Sequence, residues 1–359
     1  MMKTTIKLGL MSAVLLGGFF IAQTANALTL IPPSFETAVD PGVSLDTTIK
    51  LYNETQNTLQ LYPEAVSFTA DGETGNPTYV FDELEVGAAT WFDLPTGPVT
   101  LGAGERIVIP ITINPPADAE PGGHYVTVFF GTEPPDTTGS GSVSIGTKLG
   151  SLFLLRVFGD VEEAGTIVEF LTEDGATSFN HLPVTLFTRF QNTGNIHLRP
   201  AGNITIKNIL GGETAVLEFN PNGGATLPDT IRRYENIWEK AQITEADGNI
   251  WSDFWTGFSN EWNNFALGRY TATVDISAGN GSLVTDSASV SIWIWPWRVL
   301  TIFFIALVIV ILLLIFFIRR YNKWIISKVS QGQNNPPPPP PPSQTPEQNP
   351  PTPNQPKQE

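Results

Sequence analysis

The residue types that usually carry chemistry are thinly spread along this chain. His124, His181 and His197 are the three histidines in 359 residues, and cysteine is absent. Without thiolates or neighbouring histidines there is no zinc signature, iron–sulfur site, cysteine nucleophile or disulfide scaffold. Each histidine falls in a turn or at a strand start, which predicts solvated or locally bonded imidazoles. Asp71-Gly72-Glu73-Thr74-Gly75-Asn76 offers oxygen ligands of the kind calcium uses, but not at EF-hand spacing. Glu162-Glu163 sits where two halves of the chain join and reads as a solvated turn before a shared cation site. No nucleophile elbow, phosphate loop, HExxH or dinucleotide fingerprint occurs. Paired carboxylates for glycoside hydrolysis depend on tertiary distance, and none of the many acids is singled out. The expectation is a protein that is not an enzyme, with no metal and no cofactor.

One cluster has spacing with a physical meaning. Trp251, Phe254, Trp255, Phe258 and Trp262 recur at steps of three, one, three and four, the pattern of a helical stripe. Asp247 or Asn249 is available as its N-cap. These five aromatics are the candidate binding residues, on a helix over 250–264 that docks a partner or lids the core beneath it. A helix lying on the membrane is the weaker version, because no base occurs between Gln242 and Leu267.

The elements around this helix are strands. Leu45, Thr47, Ile49 and Leu51 alternate with polar residues, as do Ile107 to Ile113 and the stripes Val184, Leu186, Thr188, Phe190 and Tyr270, Ala272, Val274, Ile276. Period two with Gly, Pro, Asn and Asp punctuation predicts antiparallel sandwiches, each strand with one face buried. The run 149–157 is apolar on both faces, which suits a central or domain-joining strand. Three anchors recur in order: Leu51-Tyr52-Asn53 with Phe190-Gln191-Asn192, Leu101-Gly102 with Leu227-Pro228, and Gly123-His124-Tyr125 with Gly268-Arg269-Tyr270. The tyrosine is expected to bury its ring and bond backbone through its hydroxyl, as in the tyrosine corner of immunoglobulin-like sandwiches. The second half is 19 residues longer between its last two anchors, around the aromatic stripe.

The fold class is therefore all-β, with two tandem immunoglobulin-like β-sandwich domains. The first spans residues 28–160 and the second 161–294, with a helical insertion near 247–264. Residues 1–27 read as a signal peptide, with Lys3 and Lys7, an apolar stretch and Ala25-Asn26-Ala27. Residues 299–318 carry no charge and are long enough for one C-terminal transmembrane helix, with tryptophans and tyrosine at both ends. Arg319, Arg320, Lys323 and Lys328 follow it, so the tail 319–359, basic and then Pro-rich and disordered, should be cytoplasmic. The net charge of −16 thus divides into −22 over residues 28–297 and +3 over 319–359, with Lys3, Lys7 and Arg298 supplying the remaining +3. An acidic exported part excludes nucleic acid as a partner. Asn53, Asn203 and Asn280 match the N-glycan acceptor pattern, which is expected to stay unmodified if the source is bacterial.

In order of parts the chain resembles the WxL-interacting proteins, surface proteins of Gram-positive bacteria. The likeness is carried by Asp40-Pro41-Gly42 before the strand 44–52, by Glu120-Pro121-Gly122-Gly123-His124-Tyr125 leading into a late strand, and by the Asn-containing stretch 191–200. The resemblance implies a membrane-tethered adhesion protein or scaffold that binds a cell-envelope polymer, peptidoglycan among them, or a surface protein. No individual binding residue carries over. The rival reading is a tethered assembly chaperone for exported subunits, which requires an exposed strand edge in the first domain. An envelope-glycan hydrolase ranks third.

Overall fold

A computed structural model describes residues 27–80, 87–134, 147–245, 248–279 and 284–333. The expected signal peptide, the Thr-Gly stretch 136–142, the N-cap candidate Asp247, the acceptor Asn280 and the Pro-rich tail lie outside these residues.

Ten strands build the first sandwich: β1 (Leu28–Ile31), β2 (Ser34–Val39), β3 (Leu45–Asn53), β4 (Leu59–Asp71), β5 (Asn76–Val80), β6 (Phe92–Asp93), β7 (Val99–Leu101), β8 (Arg106–Ile113), β9 (Gly122–Gly131) and β10 (Lys148–Val157). One sheet runs β1-β3-β8-β6 and the other β2-β10-β9-β4-β5, with β7 paired to β4. Eight more build the second: β11 (Gly165–Thr172), β12 (Ser178–Phe179), β13 (Val184–Asn192), β14 (Ala201–Asn208), β15 (Glu213–Phe219), β16 (Ile231–Trp238), β17 (Gly268–Ala278) and β18 (Val284–Ile294). Its sheets run β11-β13-β16 and β12-β18-β17-β14-β15. Apart from the short β6 and β7, which have no counterpart among the described residues, the two orders coincide. Both include a first strand that switches sheets and then pairs in parallel with the last, β2 with β10 and β12 with β18.

Alternation does what period two requires. Ile49 and Leu51 of β3 lie beside Ile109 and Ile107 of β8 on the core side of their sheet, while Asp46 and Lys50 stay in water. In the second core Leu186 and Phe190 face the layer formed by Ile204, Ile206, Ala272 and Val274. Burying such side chains contributes about 1.5–3 kcal/mol each, which lets the sandwiches stand without covalent staples. β10 is apolar on both faces because each is covered. Phe153 and Leu155 point into the core, and Leu152 and Leu154 line a cavity of about 220 Å³ shared with residues 222–227 of the second sandwich.

The recurring asparagines are the fold's polar pins. Asn53 is fully buried, and its amide donates to the carbonyls of Asn57, Leu101 and Gly102 while its Oδ1 accepts from Thr55. Asn192 repeats this, donating to Ile196 and Thr226 and accepting from the Gly194 N–H. Both backbones are held alike, Asn53 N–H to Glu105 and Asn192 N–H to Thr230. Asn53 is thus structural, with its amide in the interior where no glycan fits.

Helix α1 (Ile250–Asn263) enters between β16 and β17, capped by Asn249, whose side chain accepts from the Trp251 N–H. Helix α2 (Trp297–Gln333) forms a separate unit; within it Trp297–Ile326 is long and apolar enough to cross a membrane. It starts two residues earlier than the uncharged stretch and runs on through the basic residues.

Truncating either pin leaves buried carbonyls without a donor, a cost of about 1–3 kcal/mol per group. Asn53→Ala or Asn192→Ala should each lower stability by about 2–4 kcal/mol in chemical denaturation, whereas Asn203→Ala on the surface should change it little.

Candidate functional site, an interdomain cleft

Two ionic contacts and one backbone seat hold the sandwiches together. His197, in the turn after β13, is 7% exposed and meets Glu36 of β2 at 2.6 Å through Nε2. Arg199 donates its Nε to the other carboxylate oxygen at 2.9 Å. The Tyr125 hydroxyl of β9 lies 3.5 Å from His197 Nδ1, with the two rings edge to face. Below them the Gly123 N–H donates to the Asn195 carbonyl at 2.8 Å. The neighbouring Gly122 has φ +131°, and a Cβ there would come within 2.9 Å of that carbonyl, so only glycine lets the two backbones close. The Asn195 side chain spans the linker, donating to Asp160 O and accepting from the Glu162 N–H.

The second ionic contact is at the β4–β5 hairpin tip. Glu73 takes a fork of hydrogen bonds from Arg189 on β13, and its carbonyl accepts from the Arg233 N–H on β16. Arg189 also reaches Glu169 at 2.9 Å. The guanidinium bond holds the Glu73 carboxyl below its ordinary range. The loop that offered oxygen ligands thus uses Glu73 to fasten the domains. At the hinge, Glu163 is tucked in against Arg156 at 3.4 Å and Glu162 stays exposed, so the pair splits its roles. Among the described residues no group of three or more potential metal ligands gathers.

Electrostatics at His197 has one consistent assignment. Burial pushes the imidazole below its ordinary value despite the carboxylate beside it. Partial burial pushes Glu36 upward, but the bonds and charges of His197 and Arg199 outweigh it and leave the carboxyl below its usual range. A neutral imidazole then donates Nε2–H to an ionised Glu36. Burial raises the Tyr125 hydroxyl well above its ordinary range, so it remains protonated.

These contacts leave a cleft of about 440 Å³ whose walls include Glu36, Thr37, Ala38, Arg156, His197 and Arg199. Arg156 presents a buried Nε without a hydrogen-bond partner. One wall is β2, an edge strand. The bonds from Leu152 N–H to Pro33 O and from Phe158 N–H to Val39 O turn Pro33 and Val39 toward β10. Alternation along the strand then points the backbone groups of Ser34, Glu36 and Ala38 at the open edge. In the facing sheet β6 covers only the Thr112–Ile113 end of β8, but Pro110 sits in the middle of that bare edge and lacks an N–H.

Three expectations are corrected or refined. His124 and His181 are locally bonded, to the Glu120 and Leu182 carbonyls, whereas His197 is buried between domains and bonded 161 residues away. Tyr270 closes its own corner by accepting from the Leu267 N–H, but Tyr125 points its hydroxyl at His197. The aromatics of α1 join neither core: Trp251, Trp255 and Trp262 are 72%, 53% and 54% exposed, and Phe254 and Phe258 are half-buried. Sequence reasoning missed Glu36, Arg156 and Arg199; the one available signal was His197 in the matched stretch after Asn192.

No family model and no curated protein matches the chain. Among solved structures it is similar to the class 5 fimbriae chaperone CfaA, at 12% identity over 74% of this chain and 99% of that one, TM-score 0.34. The E. coli chaperone DraB matches at 11% identity over 73% and 96%, TM-score 0.31. The CsuC–CsuE chaperone–tip adhesion subunit complex of Acinetobacter baumannii matches at 10% over 58% and 89%, TM-score 0.29.

Acidification should loosen this site. A folded His197 with a lowered pKa makes the unfolded chain take up the proton first, so stability falls as pH drops below about 6.5. Glu36, also lowered, stabilises above its unfolded value, and that contribution is lost as pH falls through its folded one. Thermal unfolding from pH 7 to 4 should show a falling midpoint, and His197→Gln, which keeps a donor but cannot titrate, should flatten the upper part of that fall.

Proposed function

We propose that this chain is a membrane-anchored, non-enzymatic holding protein of the assembly-chaperone kind. It captures an extended segment of another exported polypeptide along β2, in the cleft between its two sandwiches. The observation that carries this reading is the outer edge of β2, unpaired among the described residues and forming one wall of the cleft. An edge strand offers alternating N–H and C=O groups, which an extended peptide matches in register and a glycan does not. The fixed Glu36–His197–Arg199 contact supplies a second wall already in place, so little ordering is required on capture. Arg156, paired with Glu163, adds a cation to the cleft wall.

In this reading helix α2 is the anchor, and the basic residues that follow its apolar stretch support an orientation with the sandwiches outside the cytoplasm. Between the surface scaffold that the order of parts suggests and the assembly factor, the open edge favours the assembly factor. An exported or surface protein is a partner compatible with both readings, and no observation favours a wall polymer.

The test uses the direction of the β2 backbone. Ala38→Pro removes an outward N–H without touching the ladder to β10, so it should abolish capture with stability changed by less than about 1 kcal/mol. Thr37→Pro, which removes an inward group, should destabilise the sheet instead. A photocross-linker at Ser34 in the full chain should yield peptide adducts in wild type and lose them in Ala38→Pro. Adducts unaffected by Ala38→Pro would refute strand capture.

A further inference from the structure

Helix α1 is amphipathic the wrong way round for a soluble helix. Its buried positions are polar: Asn260 exchanges two bonds with the Thr244 backbone, and the C-cap Asn264 accepts from the N–H groups of Lys240 and Ala241. Its outer face carries Trp251 and Trp255, more than half exposed, and Ile250 at 87%. A helix lidding a core would show the opposite pattern.

The exposed apolar surface continues beyond the helix. Gly268 pairs with Ile294 and Arg269 with Trp293, so the connector after α1 and the end of β18 share one end of the second sandwich. There Phe265 and Leu267 are more than 40% exposed, and Trp293 and Trp295 stack with their planes 2° apart. Only Trp295 and Pro296 separate the end of β18 from the first residue of α2. So short a linker leaves little chain between this end of the sandwich and the first residue of the apolar helix.

We propose that α1 and the end of β18 lie in the interface of the bilayer that α2 crosses. Tryptophan suits this place, with an apolar ring for the acyl boundary and an N–H for the headgroup level. The missing bases of α1, which disfavoured a membrane role on sequence, come from its neighbours: Lys240 and Arg269 are exposed beside the patch. Asp253 and Glu239 offset them, so attachment is by aromatic insertion and needs no anionic lipid. This inference rests on reading α2 as a membrane span.

Because the chain has no cysteine, single cysteines can carry spin labels without background. Full-length protein in phosphatidylcholine vesicles would be labelled at Ser259→Cys on α1, at Val108→Cys on the first sandwich, and at Leu312→Cys in α2. Collisions with an aqueous nickel reagent at Ser259 should drop to about a third of the Val108 value while oxygen collisions rise, as expected for a depth of about 5–10 Å. Trp251→Ser with Trp255→Ser should return Ser259 to the Val108 level with helicity retained. A Ser259 label as aqueous as Val108, or shielded from both reagents by packing against protein, overturns the inference if Leu312 reports lipid. An aqueous Leu312 would overturn the span reading and the inference with it.

Discussion

A neutral imidazole buried against an ionised carboxylate fixes the geometry on which the cleft depends. His197 belongs to a turn of the second sandwich and Glu36 to an edge strand of the first, so their bond sets the distance between two otherwise independent cores. Tandem sandwiches joined by a short linker are free to pivot by default. Here the pivot is opposed at three points: Glu36, the Gly123–Asn195 seat and the Glu73–Arg189 fork. The fork is partly exposed and contributes modestly by itself. The buried imidazole has more at stake, since losing its partner would leave a polar group in the interior.

The two sandwiches show how one framework is adapted at its junction. Their strand orders agree, and each uses a buried asparagine to tie the turn after its third main strand to a distant loop. They diverge where they meet. Tyr270 satisfies its own corner, while the matching Tyr125 turns its hydroxyl toward the neighbouring domain. The Asn192 turn is followed by Asn195, His197 and Arg199, all engaged with the first domain or the linker, whereas the Asn53 turn is bonded only within its own sandwich.

Local periodicity made much of this legible in the sequence. The stripes at Leu45, Ile107, Val184 and Tyr270 became strands with the expected faces inward, because alternation and burial are the same constraint. The aromatic spacing gave α1 to within a residue, and the paired Asn, Leu and Tyr anchors gave the repeat. The cleft was not legible in the same way. Glu36 and His197 are separated by 161 residues, and although His197 lies in the matched stretch after Asn192, nothing there points to Glu36 as its partner. Spacing showed that the α1 stripe existed but not which way it faced, since a lid and an outward-facing helix share one pattern. The polar residues that tether α1, Asn260 and Asn264, carried that information only once their backbone partners were known.

Pro110 has a consequence for stoichiometry. It interrupts a bare edge of the first sandwich, on the far side of its sheet from the strand that leads into β2. Were β8 as receptive as β2, two chains in one membrane could join edge to edge, and each addition would expose a fresh edge for the next. A ring without a donor at the middle of β8 makes that edge a poor partner for such growth. Under the proposed strand capture, β8 then does not compete with β2 for an extended segment.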